Sequence, residues 1–304
     1  MVGRHKAVAE RKLEWRVTSQ IGAHGDARVD APNQSISDNQ IHLWWIDVQK
    51  LLDSELDSAA RAQYRQLLAE PEITCAKRII NDVRRQRYLG GRAGLRILLS
   101  GYTGIVNAEL EFGYGNRGKP KLLNAVKPGK LEFNYTLSSR FALYAFSLNR
   151  ALGIDLEVFP RTVAAGQLAK RILTDLEQAH WRTLQKEQQN EAMLACWTRK
   201  EAYGKVLGVG IRYAMNRVNL FTGLHQDRWR TKVSGLFAKE TSGETIGEIH
   251  EVSGVQLGLP VAGVASLMYS ETADEFTADE CNSVVAQGVS MNIEPELRAF
   301  RLQV

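Results

Sequence analysis

Trp197, Glu201 and Lys205 recur every fourth residue in the run Trp197-Thr-Arg-Lys-Glu-Ala-Tyr-Gly-Lys-Val-Leu-Gly208. On a helix that spacing stacks a large ring, a carboxylate and an ammonium along one side. Taken alone, the Glu–Lys pair reads as a solvated surface pair worth about 0.2–0.5 kcal/mol. A second run, Gly153-Ile-Asp155-Leu-Glu157, adds two carboxylates two residues apart. On a strand they share one face, while Ile154, Leu156 and Val158 share the other. Like charges so close repel, and one holds a proton unless a cation stands between them. Hard carboxylate oxygens suit Mg²⁺, which keeps several waters and takes few protein ligands. The alternative is an exposed acidic strand edge. A third run, Gly113 to Lys121, is rich in turn residues. It is either an ordinary hairpin connection or a loop that aims Lys119 at an anion, with Pro120 stiffening the approach.

The elements that must hold these groups follow from hydrophobic periodicity. Ile41–Val48 reads as a first strand, and Leu51–Leu68 as a helix with acids early and arginines late, which suits the helix dipole. After Pro71 a long helix is expected from Cys75 to Ser100, stopped by Gly101. Leu131–Leu137 and Phe141–Leu148 read as strands joined by Ser138-Ser-Arg, and Leu152–Val158 as a third. Helical patterns follow at 164–187 and 190–207, the second capped by Asn190 and stopped by Gly208. Val218–Phe221, Trp229–Leu236, Ile246–Val252 and Val261–Met268 return to strands, and a short helix is expected near Glu294–Phe300. The layout predicts a flexible N-terminal arm (1–40), an N-terminal lobe (41–150), a C-terminal lobe carrying the metal site (151–270) and a C-terminal extension (271–304).

Composition narrows the class. The chain has 304 residues, 44% hydrophobic and 24% charged, with a net charge of +5, which suits a globular protein that binds anions. Three distant cysteines and six scattered histidines give no disulfide framework and no zinc spacing, so a reducing cytoplasm is expected. No apolar run is long enough for a membrane span. Seven basic residues face one acid between Lys77 and Arg96. Most read as a solvated basic face, with one or two free for a polyanion. Gly90, Gly91 and Gly94 would let another backbone come close. The helix lacks the interleaved aromatics of a nucleic-acid binder, so no nucleic-acid partner is expected.

Gly118-Lys-Pro120, Gly153-Ile-Asp-Leu-Glu157 and Trp197-Thr-Arg-Lys-Glu-Ala202 continuing to Lys205 and Gly208 stand in one order. Together they resemble the 4′-phosphopantetheinyl transferases of the larger, surfactin-synthetase-activating type, over roughly Ile41 to Met268. The resemblance implies an α+β fold: a pseudo-twofold pair of similar lobes with coenzyme A in the cleft between them. It implies a cytoplasmic, monomeric enzyme that moves the phosphopantetheine arm onto a serine of an acyl or peptidyl carrier protein, releasing 3′,5′-ADP. Fatty-acid, polyketide and nonribosomal-peptide carriers all fit. Carried over by position, Asp155, Glu157 and Glu201 match the magnesium ligands, with Glu201 also the base toward serine. Lys205 and Lys119-Pro120 match contacts to the coenzyme's phosphates, and Arg87 resembles an arginine near the 3′-phosphate. Trp197 and Lys200 match supporting positions. The family's Phe-Asn-x-Ser-His-Ser run is here Phe133-Asn-Tyr-Thr136-Leu137-Ser138. Thr136 and Ser138 keep hydroxyls, but Leu137 has no donor where the family has histidine. A coenzyme-binding homologue that has lost transfer is therefore the alternative, unless Ser139 or Arg140 compensates.

Overall fold

A computed structural model describes residues 15–21, 35–38, 40–48, 66–124, 129–220, 228–232, 251–270, 284–291 and 298–303. They form a mixed helix-and-sheet protein, in keeping with the α+β expectation. The predicted helix at Leu51–Leu68 lies outside them except for its last three residues.

In chain order the strands are β1 (Trp15–Ile21), β2 (Gln40–Asp47), β3 (Phe112–Tyr114), β4 (Pro120–Leu122), β5 (Leu131–Ser138), β6 (Phe141–Leu148), β7 (Leu152–Val158), β8 (Arg228–Lys232), β9 (Glu251–Leu257), β10 (Gly263–Ser270), β11 (Val284–Met291) and β12 (Arg298–Gln303). The helices used below are α1 (Glu70–Lys77), α2 (Asp82–Thr103), α3 (Ala165–Ile172), α4 (Asp175–Thr183) and α5 (Lys186–Leu207). One sheet has the order β1-β11-β12-β2-β6-β5 and a second β7-β10-β9-β8, while β3 and β4 pair alone.

The apolar run of β2 is buried on both faces, as a strand between two layers must be. Its side chains go to two distinct destinations: Trp44, Ile46 and Val48 join Leu95, Leu98 and Leu99 of α2. Ile41, Leu43 and Trp45 instead meet Ile154, Leu156, Ala265 and Leu267 of the second sheet. Beyond that sheet, Ala202, Tyr203 and Val206 of α5 pack on Val252 and Met268. The layers therefore run helix, sheet, sheet, helix.

Several boundaries differ from expectation for local reasons. The long basic helix is two: α1 ends at Lys77, and Asn81 opens α2 by accepting from the Arg84 N–H at 2.9 Å. Gly101 is buried inside α2, which stops instead at Gly104 with φ 76°. Gly91 and Gly94 of α2 lie against side chains rather than a backbone. A Cβ on Gly91 would meet Leu137, and one on Gly94 would meet Tyr144 and Ile46. The 164–187 pattern is likewise broken, because Thr174 and Glu177 form a capping box that starts α4. Asn190 does not cap α5, whose first turn follows Gln185; its side chain holds Val163 and Arg161 instead. Val218–Leu220 is not a strand: its backbone serves Lys200, Arg199 and Glu177. Near the C-terminus, Arg298–Gln303 is strand where a short helix was expected, paired antiparallel with β2.

The contact that sets the register of α5 is at Gly153. A Cβ there would lie 2.2 Å from the Ala202 carbonyl oxygen and 2.6 Å from the Val206 nitrogen. Helix backbone thus rests directly on β7, with no side chain between them. Gly153→Ala should push the helix off the strand and destabilise the fold by about 1–3 kcal/mol. A denaturant titration against wild type checks this; an unchanged midpoint would show that the layers do not touch there.

Candidate active site

The site lies where the edges of the two sheets meet. β5 ends the first sheet and β7 ends the second. Alternate residues of β5 reach across. Asn134 Oδ1 accepts from the Ile154 N–H at 2.9 Å. Thr136 Oγ1 donates to Asp155 Oδ1 at 3.0 Å. Ser138 Oγ accepts from the Val158 N–H at 3.0 Å and donates to Glu157 Oε2 at 3.2 Å. Period two on a strand explains why 134, 136 and 138 act together.

Along α5, period 3.6 separates two jobs. Thr198 bonds Ser266 of β10 at 2.8 Å, Arg199 reaches Gln256 of β9 and stacks over Trp229, and Lys200 is fully buried. The Lys200 ammonium pairs with Glu177 at 2.7 Å and with the Val218 carbonyl at 2.8 Å. These three neighbours pin the helix. Trp197, Glu201 and Lys205 instead line a cavity of about 520 Å³, together with Thr136, Leu137, Ser138, Ser139, Asp155, Glu157, Pro160 and Arg161.

Charge in this cavity is balanced locally. Asp155 and Glu157 are buried. Lys205 Nζ donates to Asp155 Oδ1 at 2.7 Å and to the Ile154 carbonyl at 2.8 Å. Arg161 forms an ion pair with Glu157. Burial pushes the Glu201 carboxyl above its ordinary range, the Asp155 charge adds to the rise, and Lys205 opposes it.

The residues predicted from sequence divide into two sets. Thr136, Ser138, Asp155, Glu157, Trp197, Glu201 and Lys205 share the cavity. Lys119, Pro120 and Arg87 are not among its lining residues. Lys119 donates to the Leu152 carbonyl at 2.9 Å, and burial lowers its ammonium to about 8, with Lys130 and Lys205 adding to the fall and Glu132 opposing it. Pro120 opens β4. Arg87 is half-buried on α2, and its Nε has no hydrogen-bond partner among the described residues. Arg140 is engaged by Asp47, leaving Ser139 as the exposed polar residue beside Leu137 on the cavity wall. Arg161 was missed by the sequence reading, because it lies past the end of β7, where strand alternation no longer says which way a side chain faces.

The donor set suits a hard divalent cation in kind: three carboxylates facing one cavity. Their convergence is incomplete. Among the described residues no group of three or more His, Cys, Asp or Glu side chains is arranged to hold a metal ion. Asp155 and Glu157 are each engaged by a cation of the chain instead. Also among the described residues, no helix is long and apolar enough to cross a membrane.

Comparison with known proteins points one way. A model of the 4′-phosphopantetheinyl transferase superfamily matches residues 151–255, which hold β7, α5 and all three acids. The chain is 35% identical to the 4′-phosphopantetheinyl transferase HetI of Nostoc sp. over 59% of its own length and 73% of the relative's. It is 31% identical to a candidate 4′-phosphopantetheinyl transferase of Synechocystis sp., over 51% of this chain and 63% of that one. A phosphopantetheinyl transferase of Thraustochytrium sp. is 23% identical over 53% of this chain and 59% of its own.

The raised Glu201 carboxyl has a testable sign. Its folded-state value exceeds the unfolded one, so its contribution to stability is full at acidic pH and is lost as pH rises through the folded value. Glu201→Gln removes that charge. The variant should exceed wild type in denaturant midpoint at neutral pH, and the gain should vanish as acid protonates Glu201 in wild type. Equal stability at all pH values would show that Glu201 ionises freely.

Proposed function

The chain belongs to the 4′-phosphopantetheinyl transferases, and from that premise we propose that it transfers the phosphopantetheine arm of coenzyme A to a serine of an acyl or peptidyl carrier protein, releasing 3′,5′-ADP. The observation that carries this reading is the single cavity shared by Asp155, Glu157, Glu201 and Lys205. The subtype proposed is the larger, surfactin-synthetase-activating one, working as a monomer with pseudo-twofold lobes. The transfer-deficient alternative rests on Leu137 alone and is not favoured, since the acids and the hydroxyls of Thr136 and Ser138 are all present.

In the proposed reaction the serine hydroxyl oxygen bonds to the β-phosphorus of coenzyme A. The bond from that phosphorus to the bridging oxygen breaks, and 3′,5′-ADP leaves. Such transfer depends mainly on positioning and on neutralising charge. Glu201 takes the serine proton: burial and the Asp155 charge raise its carboxyl toward the working pH, which favours a general base. Lys205 stands in the cavity as a point charge for a phosphate oxygen. Thr136 and Ser138 hold Asp155 and Glu157 in place. Mg²⁺ held by Asp155, Glu157 and Glu201 would neutralise the pyrophosphate and the leaving group. Those carboxylates would be free for it only if Lys205 and Arg161, both partly exposed, turned from them to substrate oxygens.

Two outcomes test the assignment. Asp155→Ala should abolish the mass gain of a carrier protein incubated with coenzyme A and Mg²⁺, while the variant stays folded; full transfer would refute the role given to Asp155. Leu137→His restores a donor on the cavity wall. It should tighten coenzyme A binding, read by calorimetry, by about tenfold, the worth of one charge-assisted hydrogen bond. An unchanged affinity would show that Ser139 already fills that place.

A further inference from the structure

Among the described residues, the most exposed large apolar side chain lies away from the cavity, in the turn between α1 and α2. Ile80 is 97% exposed, and Val83, three residues on, is 48% exposed. Around them, residues 77–85 carry Lys77, Arg78, Arg84 and Arg85 against the single acid Asp82. Lys77 is paired with Glu70, and Asp82 with Arg85. Arg78 and Arg84 are exposed, and neither side chain has an ion-pair partner among the described residues.

The turn is held in shape. Asn81 caps the first turn of α2, and Arg85 Nη1 donates to the Ile79 carbonyl at 3.1 Å. A partner meeting it would not have to order it, which removes one cost of association. An apolar centre between two uncompensated guanidinium groups fits a partner with an apolar residue ringed by carboxylates. A second copy of this chain would set arginine against arginine, which opposes self-association. Nucleic acid would leave Ile80 without a stacking platform.

The position also suits the reaction. Gly91 of α2 abuts Leu137, which lines the cavity. From Asp82 to Gly91 is nine residues of helix, about 14 Å at the helical rise. A small domain with a radius of gyration of about 13 Å spans that gap. We propose that the Arg78–Arg84 turn is a docking surface for the carrier protein, gripping an acidic, apolar-centred face of it while its serine reaches the cavity. The inference rests on the transferase reading for the identity of the partner.

Two variants of the full chain test it: Arg78→Glu combined with Arg84→Glu, and Ile80→Ser. All the changed side chains are exposed, and thermal melts confirm folding. Calorimetry of an acidic apo carrier protein should show at least about tenfold weaker binding to each variant. The wild-type affinity should fall with added salt, and the charge-reversed variant should lose most of that dependence. In the transfer assay KM for the carrier should rise while kcat and KM for coenzyme A hold. Unchanged carrier binding in both variants would overturn the docking surface, as would a wild-type chain that binds none of a panel of carriers. The two readings fail separately. Patch-dependent binding without transfer would sink the transferase and spare the surface, whereas transfer indifferent to the patch would do the reverse.

Discussion

An edge strand must satisfy its outward backbone groups or invite another chain to do so. β7 solves this with side chains. Its outward N–H groups at Ile154 and Val158 go to Asn134 and Ser138 of β5, and its carbonyls at Leu152 and Ile154 go to Lys119 and Lys205. Four residues from three different elements thus converge on one strand. The same strand carries Asp155 and Glu157, so whatever satisfies the edge also places the acids. An unmet buried N–H or carbonyl would cost about 1–3 kcal/mol, enough to make each of these partners hard to lose.

That constraint ties electrostatics to packing. Lys205 serves both the Ile154 carbonyl and the Asp155 carboxylate, so one ammonium completes the strand and balances the cavity. It reaches both because Gly153 lets α5 lie directly on β7. The helix cannot slide, since Thr198, Arg199 and Lys200 hold it to β10, β9 and α4. Lys200 and Glu177 form a buried pair whose remaining capacity is taken by backbone groups at Val218, Leu220 and Thr174. Such a pair is costly to break from one side, because the surviving charge stays buried. The motif around Trp197 is therefore half anchor and half chemistry, divided by the helical period.

Much of this was legible in the sequence, and the limits were physical. The strands at 131–137 and 152–158 showed through period-two alternation, that at 141–148 as a nearly continuous apolar run, and the facing of Trp197, Glu201 and Lys205 through a spacing of four. What failed was read from local punctuation. Gly101 looked like a stop but is buried on α2, and Asn190 looked like a cap but bonds a neighbouring loop. The break at 78–81 was hidden because the apolar pattern continues through Ile79 and Ile80, although Ile80 faces solvent. Lys119 was read as an anion ligand from its loop. Its actual partner, the Leu152 carbonyl, belongs to a strand thirty-three residues away, which no local pattern encodes. The cations beside Asp155 and Glu157 were half visible: Lys205 by its spacing, Arg161 not at all until the strand's end brought it back over Glu157.

The substitution at position 137 has its meaning in the alternation of β5. Asn134, Thr136 and Ser138 point to β7 and hold the acids, whereas Leu137 leans against Gly91 of α2, beside the core under that helix. Leu137 is therefore on the opposite face from the side chains that bond β7. A change there alters what the cavity wall offers a bound phosphate and how closely α2 packs. It does not touch the bonds that place Asp155 and Glu157. Affinity for the coenzyme and the arrangement of the reacting acids are separable on this strand, which is why a leucine where the family carries histidine does not by itself argue against catalysis.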